Sequence, residues 1–313
     1  MLRYALNRLL MAVPTLLIVA VVVFTLMRMV SGDPAQLMLG DLESPEALAR
    51  LRKEMGLDQP VPVQFAIWLE RAVAGNFGMS IAQQRPVIEM LWSGFLVTAS
   101  VVLPAVLIAA LLAVPLGMIA AWKQNTRTDA AIVGLSIVFL SLPSFWLGLL
   151  FLLFLGVKAD LFPIVGYVSP RENFVEGIRY LVMPVMTLAL IETGVLIRMA
   201  RASTIEVLRL EYITHARAKG LSEPQVALRH ALKNSFAPTW TLIGLVLGGL
   251  LGGAVVVETV FSLPGIGRLL VDSIFARDYP VVQGALLLVT ALYVGVNLLV
   301  DLFYPVFDPR VRL

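Results

Sequence analysis

Long apolar runs separated by short polar breaks dominate this chain. Windows free of Asp, Glu, Lys and Arg run Leu9 to Met27, Met90 to Trp122, Ala130 to Val157, Asn234 to Val257 and Tyr279 to Val300; a sixth, Tyr180 to Ile197, is interrupted by Glu192 alone. A bilayer core of about 30 Å takes roughly 20 apolar residues in a helix. The pattern therefore predicts an all-α membrane protein with six spans, near residues 9–29, 97–122, 132–156, 180–199, 235–257 and 281–303. The second window exceeds one bilayer thickness, and its opening Trp92-Ser93-Gly94 suits an interface. The first run passes into Arg28 and Ser31-Gly32-Asp33 without a small-x-small cleavage site, so it reads as a retained helix rather than a signal peptide. Pro14, Pro104, Pro115, Pro143 and Pro184 fall within or beside these windows and predict kinks.

Composition supports the membrane. The chain has 313 residues, 59% of them hydrophobic and 14% charged, with a mean hydropathy of +0.88, and a soluble globule of this length cannot bury so much apolar surface. The absence of cysteine excludes disulfides and thiolate metal sites. Neither a Walker A loop, a His-Glu-x-x-His helix nor a Gly-x-Ser-x-Gly elbow is present, which argues against an enzyme, and no residue set reads as catalytic or as metal ligands.

Charge predicts the orientation. With both termini in the cytoplasm, the inner segments hold more than half of the Lys and Arg, and the stretch from Arg198 to Lys233 is the most basic short loop. The modest excess of +3 then reads as orientation rather than nucleic-acid binding. The predicted outer segment between the first two spans carries one short helix opened by Ser44-Pro45-Glu46 and closed by Gly56, and a second around 63–74 ended by Gly75. The expected organisation is an N-terminal span with an external helical cap over residues 1–96, then a five-span core over 97–313 containing a cytoplasmic loop at 200–234. After the fifth span, Phe261-Ser262-Leu263-Pro264-Gly265-Ile266-Gly267 precedes an amphipathic stretch from Arg268 to Ala276, read either as an interfacial connector or as part of an outer gate.

Local signals in the 200–234 loop agree with one another. A first helix is expected from Ala202 to Lys219, with Arg217 and Lys219 in its last turn and Gly220 at the left-handed position beyond it. Ser222-Glu223-Pro224-Gln225 reads as a capping box, Leu221 and Val226 as its hydrophobic staple, and a second helix continues into the fifth span. Two helices with a rigid corner can dock into another protein; a solvated connector is the plainer reading.

Here the sequence resembles the permease subunits of bacterial ABC importers, whose cytoplasmic loop carries E-A-A-x-x-x-G. The matching stretch is Thr214-His215-Ala216-Arg217-Ala218-Lys219-Gly220, in which Ala216 and Gly220 keep the pattern while Thr214 and His215 depart from it. The longer string from Tyr212 through Leu221 and Ser222 resembles the dipeptide/oligopeptide/nickel branch, specifically its first, B-type permease. So do Arg229-His230-Ala231-Leu232-Lys233-Asn234, Ser31-Gly32-Asp33-Pro34, Leu57-Asp58-Gln59-Pro60, the 261–267 loop, Ala276-Arg277-Asp278-Tyr279-Pro280 and Asp308-Pro309-Arg310. The resemblance implies a type I ABC importer permease in the bacterial inner membrane. It implies a pore shared with a second homologous permease, two cytoplasmic ATPases that hold ATP and Mg, and an external solute-binding protein, with no cofactor in this chain. Peptides are the implied cargo; nickel complexes or glutathione are alternatives within the family, and a self-contained secondary carrier is the alternative outside it. The loop residues Tyr212, Thr214, His215, Ala216, Arg217, Ala218, Lys219, Gly220, Leu221 and Ser222 would couple to the ATPase, with Ala216 and Gly220 allowing close packing and the turn and Arg217, Lys219 and Leu221 facing it.

Two further features are open to a structural or a functional reading. Glu192 lies inside the fourth window and should face the bundle interior, as a group on the substrate path or as a structural polar contact. Gly244, Gly248 and Gly252, with Gly249 and Gly253 beside them, repeat at four-residue spacing and mark a close helix contact within the chain or with a second permease.

Overall fold

The computed structural model describes residues 2–29, 44–54 and 57–307; among these the regular structure is helical, with one isolated antiparallel bridge between Met79 and Pro86. Helix α1 spans Leu2–Met29, followed by short helices α2 (Pro45–Glu54) and α3 (Val61–Val73). The long helix α4 covers Val87–Trp122, then come α5 (Arg127–Ser141) and α6 (Ser144–Phe151), which runs on as π-turns over Leu152–Lys158. Helix α7 covers Phe174–Leu208, α8 Glu211–Ala218 and α9 Glu223–Gln225, the last passing through π-turns at Val226–Ala231 into α10 (Leu232–Gly253). The chain continues as α11 (Val255–Val260), α12 (Ile266–Phe275) and α13 (Tyr279–Phe307).

Four helical runs are long and apolar enough to cross a bilayer: Val87–Trp122, Phe174–Leu208, Glu223–Gly252 and Tyr279–Pro305. The first predicted span appears as an apolar stretch, Leu10–Leu26, inside α1. The third predicted span is sharply bent, because α5 and the run from α6 through its π-turns meet at 94°. The break is local. Leu142 precedes Pro143, whose ring disfavours helical geometry in the residue before it, and Leu142 takes an extended conformation at φ −85°, ψ 121°. Pro104, Pro115 and Pro184 lie inside helices that continue past them. Both predicted short helices between the first two spans are present, with Gly75 at φ +77° after α3. Gly56, Ser31-Gly32-Asp33-Pro34 and Asp308-Pro309-Arg310 lie outside the described residues.

In lipid, apolar surface gains little by leaving its surroundings, so helices associate through close backbone approach and a few polar contacts. The α4 and α7 pair, the most extensive among the described residues, is built this way. Ala105, Ala109, Ala113, Gly117 and Ala121 recur every four residues on α4 and are all buried. At Gly117 an added Cβ would sit 2.6 Å from Ala200 Cβ and 2.9 Å from Arg201 N and Ile197 O. Gly194 of α7 similarly admits the Ser136 carbonyl of α5. The glycines of α10 face α13 of the same chain. An added Cβ at Gly244 would collide with Val300, one at Gly248 would lie 2.8 Å from Tyr293, and one at Gly252 2.7 Å from Val289, whereas Gly249 borders open space. Trp240 Nε1 donates to Val300 O at 3.1 Å across the same seam. Gly244, Gly248 and Gly252 thus make a close contact within the chain.

Candidate coupling hairpin and the opposite end of the bundle

The polar excursion between α7 and α10 is a compact hairpin with its own small core. Val207, Ile213, Ala216, Val226 and Ala231 are buried together, with Trp122, Leu208, Tyr212 and Leu221 packed around them. This explains a departure from the expected helix over 202–219. Helix α7 stops at Leu208, Leu210 adopts an extended conformation (φ −77°, ψ 143°), and α8 starts afresh at Glu211. The break turns Ile213 and Ala216 back onto Trp122 and Val207, a burial that a straight helix would forgo.

The corner follows its sequence signals. Gly220 sits at φ +79°, in the region that costs an L-residue roughly 1–2 kcal/mol. Ser222 and Gln225 form the capping box, with Ser222 N donating to Gln225 Oε1 at 3.1 Å. Leu221 packs beside Val226 in the hairpin core. Arg217 reaches Glu223 through two hydrogen bonds, 2.9 and 3.2 Å, and its guanidinium lies 5.7 Å from the centre of the Trp122 ring. Tyr212 is tied down as well, since Asn234 Nδ2 donates to its hydroxyl at 2.6 Å. Thr214, His215, Ala218, Lys219 and Ser222 remain exposed. Ala216 thus packs inward, and the accessible ridge is formed by Thr214, His215, Ala218 and Lys219.

Two links join the hairpin to the spans. Ser203 Oγ donates to Ser235 O at 2.8 Å, fastening the end of α7 to the start of α10. Arg201 grips Asp129 with two bonds of 2.7 Å, fastening α7 to the start of α5. A push on the hairpin is therefore shared by three helices. Glu192, further along α7, is half-buried and makes no hydrogen bond or ion pair among the described residues; Arg198 is exposed and does not pair with it.

The opposite end of the bundle has two carboxylate nodes that sequence reasoning passed over. Glu258, 1% exposed, accepts from Thr98 Oγ1 at 2.5 Å and from Arg268 N at 2.8 Å, while Ile266 N donates to Thr98 Oγ1 at 2.9 Å. It thereby closes the 261–265 turn and caps α12, the amphipathic helix expected from Arg268 to Ala276, which begins at Ile266. Asp278, also 1% exposed, accepts from Ser80 Oγ, from Ile81 N at 3.1 Å and from Ala82 N at 3.2 Å, pinning the loop before α4 to the start of α13.

Membrane-length helices, joined at one end by a pre-packed polar elbow and knotted at the other by buried carboxylates, define a multi-pass α-helical membrane protein. The chain belongs to the family of binding-protein-dependent transport system inner membrane components: the family model matches residues 113–313, and the model for the family's N-terminal part matches residues 1–102. A putative peptide transport system permease protein of Brucella abortus (strain 2308) is 41% identical over 307 residues, which is 98% of each chain. The dipeptide transport system permease protein DppB of Alkalihalophilus pseudofirmus is 36% identical over 332 residues and covers both chains entirely. DppB of Escherichia coli (strain K12) is 37% identical over 336 residues, covering 100% of this chain and 99% of the relative. Among solved structures, the inward facing MetNI methionine ABC transporter contains a chain similar in fold, with TM-score 0.58 and 15% identity over 71% of this chain and 97% of that one. The protein is thus a multi-pass inner-membrane ABC permease.

Proposed function

We propose that this chain is one of two homologous permeases that form the pore of an ATP-driven peptide importer. An external binding protein delivers the peptide, and two cytoplasmic ATPases, which hold ATP and Mg, drive the spans through the hairpin, so both termini lie in the cytoplasm. The observation that carries the proposal is the hairpin: its interior is packed and its corner capped, yet the Thr214, His215, Ala218 and Lys219 ridge is left bare at a point fastened to three spans. The peptide cargo is supported by the full-length relatives, which are named as peptide and dipeptide permeases. A groove of about 880 Å³ between α4 and α10, lined by Leu103, Leu107, Leu111, Trp240 and Leu247, supplies an apolar face for the second permease.

Substitution of Gly220 tests the coupling. Gly220→Val places a β-branched residue at φ +79° without touching any neighbour, since no atom lies within 4 Å of the added Cβ. In the reconstituted transporter, peptide-stimulated ATP hydrolysis should fall at least fivefold while the complex still assembles. Unchanged stimulation, or uptake by this chain alone driven by an ion gradient, would remove the basis for the proposal.

Glu192 is assigned to the substrate path or to its wall at the second permease, because a half-buried carboxylate in a membrane helix needs a partner that the described residues do not supply. Glu192→Gln should lower peptide uptake several-fold with assembly intact. Full uptake by the variant would discard the assignment.

A further inference from the structure

A cavity of about 350 Å³ lies at the end of the bundle away from the hairpin, between α1, α3 and the start of α13. Its walls include Phe24 and Arg28 from α1, Gln64, Trp68 and Arg71 from α3, and Tyr279 from α13. Two of its polar atoms are buried without a partner among the described residues, Gln64 Oε1 and the Tyr279 hydroxyl, on side chains that are 7% and 8% exposed. The orientation of the Gln64 amide is fixed. Its Nε2 donates to Leu57 O at 3.1 Å and to Gln59 O at 2.6 Å, so both N–H bonds are used and the oxygen is the atom left over. Folded proteins rarely leave such groups unsatisfied, and two lining one cavity give a ligand a pair of polar groups to engage.

The charge of the walls selects its chemistry. Among the described residues, Arg28 and Arg71 line the cavity and no Asp or Glu does. Guanidinium groups pair with phosphate through parallel hydrogen bonds. Nearby surface is apolar: Val21, Val22 and Leu26 on α1 and Val61, Val63 and Val73 on α3 are all exposed. A ligand that fits carries a phosphate, a neutral donor group for Gln64 Oε1, and a long apolar part. We propose that the cavity holds the headgroup of a phosphatidylglycerol-type lipid. The phosphodiester lies between Arg28 and Arg71, the glycerol hydroxyls meet Gln64 Oε1 and the Tyr279 hydroxyl, and the acyl chains run along the exposed valines. An ammonium headgroup is disfavoured because it would face two guanidinium groups with no carboxylate among the described lining residues to receive it. This site goes beyond transport and does not rest on the proposed cargo.

Native mass spectrometry of the purified full-length chain tests the assignment, with dioleoyl-phosphatidylglycerol, -phosphatidylethanolamine and -phosphatidylcholine added separately and glycerol 3-phosphate as the free headgroup. Phosphatidylglycerol should bind at least fivefold more tightly than either zwitterionic lipid. Arg71→Gln should remove most of that preference. Tyr279→Phe should weaken phosphatidylglycerol about threefold yet leave the lipid-free melting temperature unchanged, because the hydroxyl it removes has no partner among the described residues. Equal binding of the three lipids, or a preference that survives Arg71→Gln, would overturn the site. Glycerol 3-phosphate binding as tightly as the lipid would also overturn it, by moving the ligand to the aqueous phase.

Discussion

Gly117→Leu is expected to prevent the chain from reaching a monodisperse folded state in detergent, with a loss of about 3 kcal/mol or more. The reason lies in what a side chain would meet. The atoms nearest an added Cβ are a β-carbon at 2.6 Å and the backbone N of Arg201 and O of Ile197 at 2.9 Å, none of which can rotate aside. Relief requires moving α7 away from α4, and that separation spreads along a seam in which Ala105, Ala109 and Ala113 are also fully buried. A core pair fastened by Arg201 to Asp129 next to the same contact would be strained as well. Gly117→Ala should give a smaller fall in melting temperature. Gly134→Leu is the control, since no atom lies within 4 Å of a Cβ at that glycine. Size-exclusion profiles and thermal unfolding of the three variants decide the matter. A Gly117→Leu protein that melts with the parent would mean that α4 and α7 are not in backbone contact.

The same seam shows which parts of the molecule a sequence discloses. Windows with at most one charge mark spans because lipid penalises charge, and four of the six coincide with helices long and apolar enough to cross a bilayer. The capping box at Ser222 and the left-handed Gly220 were legible because each is decided within a few residues. The break at Leu210 was not, because it is stabilised by contacts of Ile213 and Ala216 with Trp122, some ninety residues earlier in the chain. Pro143 announced a kink, but its size depends on Leu142 leaving helical geometry completely. The α4 stripe was present as alanines at a four-residue interval, a quieter form of the pattern that the α10 glycines display. Asp278 stands in a stretch that only its resemblance singles out, and its role depends on Ser80, 198 residues away. Glu258 stands one residue beyond an apolar window that ends at Val257, where an acid looks like the edge of a span. Its meaning comes from Thr98, 160 residues distant.

That distant pairing makes Glu258→Ala the polar substitution with the largest expected effect, about 3 to 5 kcal/mol. The carboxylate is fully enclosed, and it fills the space where a Cβ on Gly265 would otherwise sit. Truncation leaves the Thr98 hydroxyl and the Arg268 N–H without an acceptor, and opens a void beneath a turn in which Ser262 is already held at φ +55°. Glu258→Gln should be milder, since it keeps one oxygen but turns an N–H₂ group toward a donor. Thr98→Val removes the other half of the node, including the acceptor for Ile266 N. If the two residues act as one unit, the double variant Thr98→Val, Glu258→Ala should melt well above the temperature predicted by adding the separate losses, because each single change already breaks the hydrogen bond they share. Strict additivity in that cycle would mean that Thr98 does not hold the carboxylate, and that the start of α12 is fixed by its apolar contacts instead.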